Sequence, residues 1–169
     1  TGRSTWKPNV RAMTQNWLNM GLRPRAVTRD IEWGVKIPLD DEVWGEKRVY
    51  VWFDAVQGYL TCARIWSERI AEESGSESDI WRRWWMDSGN LRHIYFMGKD
   101  NIPFHTIIWP GILMALNRGR EDHERLHLED NVASNEYLML SGDQFSTSRK
   151  HAVWLCLLYT SDAADDLLC

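Results

Sequence analysis

Apolar residues recur at helical spacing after Pro8, at Val10, Met13, Trp17 and Leu18, until Gly21 and Pro24 stop the pattern, which predicts a helix over 8–20. Residues 26–46 are mixed, and Pro38 followed by Asp40, Asp41 and Glu42 reads as an irregular connection or a short hairpin. The period then changes. Arg48–Phe53 (RVYVWF) is β-branched and aromatic after its first residue, the pattern of a strand buried on both faces of a parallel sheet, and it leads into a helical stretch from Asp54 to about Ala71. The polar segment 72–78 (EESGSES) is a loop. Asp79 is placed to cap a short helix whose Trp81, Trp84 and Trp85 share one face while Arg82 and Arg83 point elsewhere. Interleaved bases and aromatics suit nucleic acid, but this spacing favours a packed helix face. A second strand is expected at His93–Met97, then Gly98, Lys99 and Asp100, then a helix opened by Pro103 and running to about Asn117. The polar turn 117–125 precedes a third extended region, Leu126–Leu140. Alternating strands and helices of this kind predict an α/β fold around a parallel sheet.

Composition narrows the picture only slightly. The chain has 169 residues, 44% hydrophobic and 26% charged, ordinary values for one globular domain, and no apolar run approaches the ~18 residues of a membrane span. Eleven tryptophans are far more than usual and imply large amphipathic surfaces that stack, line pockets or fill a core. The net charge of −4 owes much to residues 156–169 (CLLYTSDAADDLLC), which carry three aspartates and no base. That segment resembles the translated read-through of a sequencing-library adapter and is expected to be a non-native tail, leaving 1–155 as the domain. It also holds Cys156 and Cys169, so Cys62 is left without an intramolecular partner, as suits a reducing cytoplasm. The polar opening from Thr1 has neither an initiator methionine nor a signal-peptide pattern, and an internal piece of a longer, cytoplasmic product is the expectation.

In parallel α/β sheets, ligands bind outside the carboxyl ends of strands, which directs attention to the residues after Phe53 and after Met97. Ala55 and Tyr59 are four apart after the first strand, and His105 and Trp109 are four apart after the second. Together with Trp52 they would give one cavity aromatic walls, a phenol and an imidazole, well matched to an apolar ligand with one weakly polar atom such as a thioether. Taken singly, His105 also reads as a satisfied core histidine. Gly98 reads either as a tight turn or as a place where a nucleotide approaches the backbone. Asp100 beside Lys99 also reads as a solvated pair. Cys62 lies mid-helix without an evident base, and His123 with His127 lacks further metal-ligand types, so neither a thiol nucleophile nor a metal site is expected.

Four strings carry a resemblance in combination: WKPNVRAMTQNWLNMGLRPRAVTRDIEWGVKIP, VYVWFDAVQGYL, HIYFMGKDNIPFHTIIWPGILMAL and NEYLMLSGDQFSTSRK, spread over residues 6–150. In that order they resemble methionyl-tRNA synthetase, a class I aminoacyl-tRNA synthetase. The resemblance implies the second half of a Rossmann-type parallel sheet with flanking helices. It implies that Trp52, Ala55, Tyr59, Phe104, His105 and Trp109 bind the methionine side chain, with Phe104 in support. It places Gly98, Asp100 and Thr147 toward ATP, and leaves the role of Arg29 and Asp30 open. The implied substrates are methionine, ATP with Mg²⁺, and tRNA(Met). The implied reaction is attack of the methionine carboxylate on the α-phosphate, with release of pyrophosphate, then transfer to the tRNA.

Two departures qualify that reading. The family's HIGH motif does not occur in the sequence, and neither do its zinc-knuckle insertion and most of its anticodon domain. Gln144-Phe145-Ser146-Thr147-Ser148-Arg149 stands where the family has KMSKSR, so Ser146, Ser148 and Arg149 are kept while Gln144 and Thr147 replace the two lysines. The catalytic loop implied is Ser146, Thr147, Ser148, Arg149 and Lys150. The alternative is a synthetase-like module that binds without catalysing.

Overall fold

The computed structural model describes residues 5–75, 77–86 and 89–156, and divides into two compact units, residues 1–134 and 135–169. Of the expected tail, residues 157–169 lie outside the described residues.

In the first unit, α1 (Pro8–Asn19) opens on proline, whose fixed φ suits the first helical turn and whose missing N–H is not needed there. It buries Val10 and, one turn later, Thr14. Strand β1 (Thr28–Arg29) pairs antiparallel with β2 (Arg48–Val49), Thr28 opposite Val49 and Arg29 opposite Arg48. Arg48 is buried on that short ribbon and donates to the main-chain carbonyls of Glu46 at 2.6 Å and Glu32 at 3.3 Å. Helix α2 (Val51–Ala55) follows directly and α3 (Gly58–Ser74) continues it, ended by Gly75 at φ 65°, the left-handed cap that glycine adopts without steric cost. On α3, fully buried Ser67 donates to the Ser78 carbonyl at 2.6 Å and accepts from the Trp81 N–H at 3.2 Å, pinning the chain return before α4 (Arg82–Trp85).

Strands β3 (Ile94–Gly98) and β4 (Asn131–Asn135) form a parallel pair joined by a helical crossover. A 3-10 turn (Lys99–Asn101) and a π-helical turn (Phe104–Ile108) lead into α5 (Trp109–Leu116). The Asn117 side chain then clamps the return, donating to the Leu126 carbonyl at 2.8 Å and accepting from the Leu126 N–H at 2.7 Å. One core cluster joins Val56, Trp85, Met86, Tyr95, Trp109, Leu113 and Leu126, and a second joins Trp6, Val10, Ile102 and Val132.

The second unit contains a hairpin of β5 (Met139–Leu140) and β6 (Asp143–Gln144). Its two-residue turn, Ser141 at φ 52° and Gly142 at φ 91°, has the doubly positive φ that matches the twist of paired strands.

The α/β class, the bounds of α1 and the end of α5 agree with the sequence pattern, but the helix expected from Pro103 opens as a π-helical turn and α5 begins only at Trp109. The strand expected over Arg48–Phe53 does not form: only Arg48 and Val49 are paired, antiparallel, and the chain is helical from Val51. Short aromatic and β-branched runs fit a strand or a helix start equally well, and here Val51 and Trp52 remain about half exposed instead of entering a sheet. The extended region expected over Leu126–Leu140 contains two strands, β4 and a further short strand at Met139–Leu140. The shared tryptophan face is also incomplete: Trp85 is buried and Trp81 packs beside it, but Trp84 is 60% exposed, because in so short a helix only the i, i+4 pair reaches the core.

Burial lowers the pKa of both His93 and His105 below the ordinary 6.5. Above that value both are neutral in folded and unfolded chains. As pH falls through it, the unfolded chain takes up protons that the folded one resists, so stability declines. Asp130 acts in the same direction at lower pH: although burial opposes its charge, hydrogen bonds from His127 and the His93 N–H bring it below 3.8, so its stabilising contribution is present above that value and is lost as pH falls below it. The urea midpoint is therefore expected to fall between pH 7.5 and pH 5.5, and to fall less when His93 and His105 are both replaced by Gln. An unchanged midpoint would contradict this assignment.

Candidate functional site

The residues after β2 and after β3 meet at a cavity of about 160 Å³, lined by Trp52, Ala55, Val56, Tyr59, Asn101, Phe104 and His105. Trp52 and Ala55 come from α2 and Tyr59 from the first turn of α3, so the 3–4 residue spacing survives the short break at Val56–Gln57 and keeps all three on one side. Phe104 and His105 open the π-helical turn opposite them. The Trp52 and Phe104 rings are 5.5 Å apart, and those of Tyr59 and His105 are 5.7 Å apart.

The polar pair in this wall has a defined direction. His105 Nδ1 is 2.9 Å from the Asn101 carbonyl, which only accepts, so Nδ1 carries the proton. Nε2 is then a lone pair, and the Tyr59 hydroxyl, 2.9 Å away, donates to it. Burial holds His105 toward its neutral form and raises the Tyr59 pKa above 10.0. Tyr95, whose ring lies 5.1 Å from that of Tyr59, is pushed up to about 12, chiefly by burial. At neutral pH this wall therefore presents aromatic faces, a methyl group and a phenol oxygen without net charge, an environment for an uncharged side chain.

Trp109 does not line the cavity. It is fully buried behind Tyr59, at 6.5 Å between rings, and donates its indole N–H to the Tyr95 hydroxyl at 3.0 Å. Gly98 ends β3 in ordinary extended backbone (φ −73°, ψ 154°), and a Cβ built there would meet nothing within 4 Å. Neither backbone strain nor crowding within the chain calls for glycine at this position, while an approaching ligand would. Asp100 is exposed in the 3-10 turn that follows. Arg29 donates to the carbonyls of Ala26 at 3.0 Å and Thr28 at 2.8 Å and lies 3.8 Å over the Tyr50 ring, while Asp30 pairs with Lys47.

A larger apolar groove of about 470 Å³, not foreseen from the sequence, runs between the end of α1, residues 21–27 and the π-helical turn. Phe104 belongs to both cavities, with Arg25 5.7 Å over its ring. The signal for it was the apolar end of α1, Trp17 and Met20, followed by RPRAV, which helical periodicity alone treats as a helix stop.

In the second unit, Ser146 and His151 exchange main-chain hydrogen bonds of 2.8 and 2.9 Å and close the loop between them. Ser146 Oγ is 3.2 Å from Ser148 Oγ and accepts from the Arg149 N–H at 3.3 Å. Thr147, Ser148, Arg149 and Lys150 are exposed on this closed turn, and Lys150 has φ 55°.

The chain belongs to the family "tRNA synthetases class I (M)", whose sequence model matches residues 1–168. It is similar to the methionine–tRNA ligase of Roseiflexus sp. (strain RS-1), 49% identical over 168 residues, covering 95% of this chain and 26% of that protein. The methionine–tRNA ligase of Picrophilus torridus is 50% identical over 147 residues, covering 87% of this chain and 19% of that protein. Among solved structures, Mycobacterium tuberculosis methionyl-tRNA synthetase bound by methionyl-adenylate matches with a TM-score of 0.64 and 25% identity, over 92% of this chain and 26% of that one. The chain thus spans about a quarter of the length of these relatives.

Proposed function

We propose that this chain carries the methionine side-chain wall and the nucleotide-facing strand end of a methionine–tRNA ligase, within residues 1–155. The observation that carries the reading is the cavity in which Trp52, Ala55, Tyr59, Phe104 and His105 meet as an uncharged aromatic wall around one hydrogen-bonded phenol. A thioether side chain gains by leaving water for aromatic faces and asks for a single weak polar contact. A charged side chain would lose its hydration there without a partner.

On this reading, Trp52 and Phe104 enclose the methionine chain, Tyr59 meets its sulfur, and Trp109 supports Tyr59 from behind. The open space at Gly98 admits the adenosine of ATP, with Asp100 beside it. The magnesium ion would travel with the triphosphate, held by its phosphate oxygens. Among the described residues there is no group of three or more His, Cys, Asp or Glu that could hold a metal ion. The carboxylate of methionine attacks the α-phosphate, pyrophosphate leaves, and the methionyl group passes to the terminal adenosine of tRNA(Met). The catalytic role of the loop Ser146, Thr147, Ser148, Arg149 and Lys150 would be to stabilise the departing pyrophosphate. No helix among the described residues is long and apolar enough to cross a membrane, and cytoplasmic translation is the proposed setting.

The non-catalytic module is favoured by one observation: Gln144 and Thr147 stand where the family has lysines. By itself the 169-residue chain is expected to give no methionine-dependent pyrophosphate exchange, because one wall of a site supplies little transition-state stabilisation. Exchange above a no-enzyme control would refute this.

The pocket assignment is tested in a full-length ligase carrying this segment. Trp52→Ala is expected to raise the methionine KM by about a hundredfold, as a packing loss on the order of 3 kcal/mol implies, with little change in the ATP KM. Equal changes for both substrates would mean that the pocket is misplaced. In the same enzyme, Arg149→Ala or Lys150→Ala is expected to lower kcat for adenylation roughly a hundredfold to a thousandfold, with methionine KM nearly unchanged, as losing a charge aimed at a leaving group does. Thr147→Lys should leave adenylation equal or faster. If neither alanine variant slows adenylation, the loop does not act through these charges.

A further inference from the structure

Two buried threonines line neither cavity and take no part in the chemistry above. Thr14 faces inward from α1, one turn after fully buried Val10, and Thr106 follows His105 in the π-helical turn. Their Oγ1 atoms are 3.0 Å apart across 92 residues of sequence. Thr106 Oγ1 is also 2.9 Å from the Ile102 carbonyl, and Thr14 Oγ1 is 2.8 Å from the Val10 carbonyl. Carbonyl oxygens only accept, so three short contacts share two hydroxyl protons, and the pair behaves as one coupled unit. Val10 and Ile102, whose carbonyls it uses, belong to the same core cluster.

A π-helical turn is wider than an α-helix and is rare unless neighbouring groups hold it. Here two successive side chains each bond the carbonyl four residues back, His105 to Asn101 at 2.9 Å and Thr106 to Ile102 at 2.9 Å. His105 continues from that anchor toward Tyr59, while Thr106 continues toward α1. A return to α-helical register would turn one end of the turn by roughly 100° relative to the other, so that Thr106 could no longer meet Thr14 while His105 meets Tyr59. The geometry points to Thr14 and Thr106 as positioning residues: their hydroxyl link from α1 holds the π-helical turn in register and thereby keeps His105 in the tautomer that receives the Tyr59 proton. Its meaning for selectivity rests on the methionine reading, since it decides which polar atom meets the sulfur, but the structural claim is tested without any ligand.

In the chain labelled with ¹⁵N-histidine, multiple-bond ¹H–¹⁵N spectra at pH 7.5 separate the Nδ1–H and Nε2–H tautomers. His105 is expected to be predominantly Nδ1–H. Thr106→Val and Thr14→Val keep the shape and remove the hydroxyl. Each is expected to lower the ratio of the Nδ1–H to the Nε2–H form about fivefold, the change that losing one ordinary hydrogen bond brings, while Thr106→Ser keeps the unsubstituted ratio. Circular dichroism establishes that each variant is folded. Should Thr106→Val fail to fold, Thr14→Val and Thr106→Ser decide. An unchanged ratio in a folded valine variant, or a serine variant that behaves as the valine one, would overturn the proposal. Because no methionine is present, a failure of the functional reading leaves these spectra unmoved, and methionine titration of the unsubstituted chain reports on that reading separately.

Discussion

Trp109 is fully buried and gives its one polar hydrogen to the Tyr95 hydroxyl at 3.0 Å. An indole N–H left unpaired in such a place would cost about 1–3 kcal/mol, so the bond fixes both rings rather than merely joining them. Trp85 packs edge-on against the same indole at 6.0 Å, and Tyr59 lies 6.5 Å away on the cavity side. Trp109 thus backs the cavity wall from the core of the first unit, and Val56 belongs to both. Whatever displaced Trp109 would loosen α5 from the sheet and move the phenol that the cavity offers.

The same burial decides the electrostatics of the cavity. His105 is tied at Nδ1 to a carbonyl and at Nε2 to a phenol, and both partners suit the neutral ring. Protonation would put a second N–H against the Tyr59 oxygen and place a charge among the aromatic rings of Tyr59 and Tyr95. The wall therefore keeps one hydrogen-bond direction near neutral pH. A fixed direction is what lets a cavity made mostly of aromatic carbon distinguish one uncharged side chain from another.

The sequence made most of this wall readable because its logic is local. Ala55 and Tyr59 are one helical turn apart, and the break between α2 and α3 is too short to spoil their alignment. His105 follows a strand end by a few residues, where α/β sheets present ligand-facing groups. What the sequence hid depends on contacts distant along the chain. RVYVWF shows Trp52 near the cavity but carries no sign that the chain turns helical at Val51 instead of continuing a strand, and Trp52 there meets Phe104, 52 residues further on. His105 and Trp109 share helical spacing, yet the π-helical turn between them rotates one toward the cavity and the other into the core. Periodicity arguments assume an α-helix and cannot see that extra residue.

The second unit shows a different economy. The doubly positive turn at Ser141–Gly142 sets the register of β5 against β6, and the Ser146–His151 pair closes the next loop, with His151 Nε2 2.8 Å from the Leu140 carbonyl. Lys150 holds φ 55°, a conformation that costs a non-glycine residue roughly 1–2 kcal/mol and persists only where surrounding bonds determine it. Ser146 supplies several of those bonds, through its backbone to His151 and through Oγ to Arg149. Ser146 and Arg149 thus shape the turn, while Gln144 and Thr147 expose their side chains and enter the loop through the backbone, Gln144 opposite Met139 in the hairpin and Thr147 accepting from the Lys150 N–H at 3.1 Å. Backbone bonds are indifferent to which exposed side chain is carried at 144 or 147, so the shape of this loop and the charge it presents are separable properties.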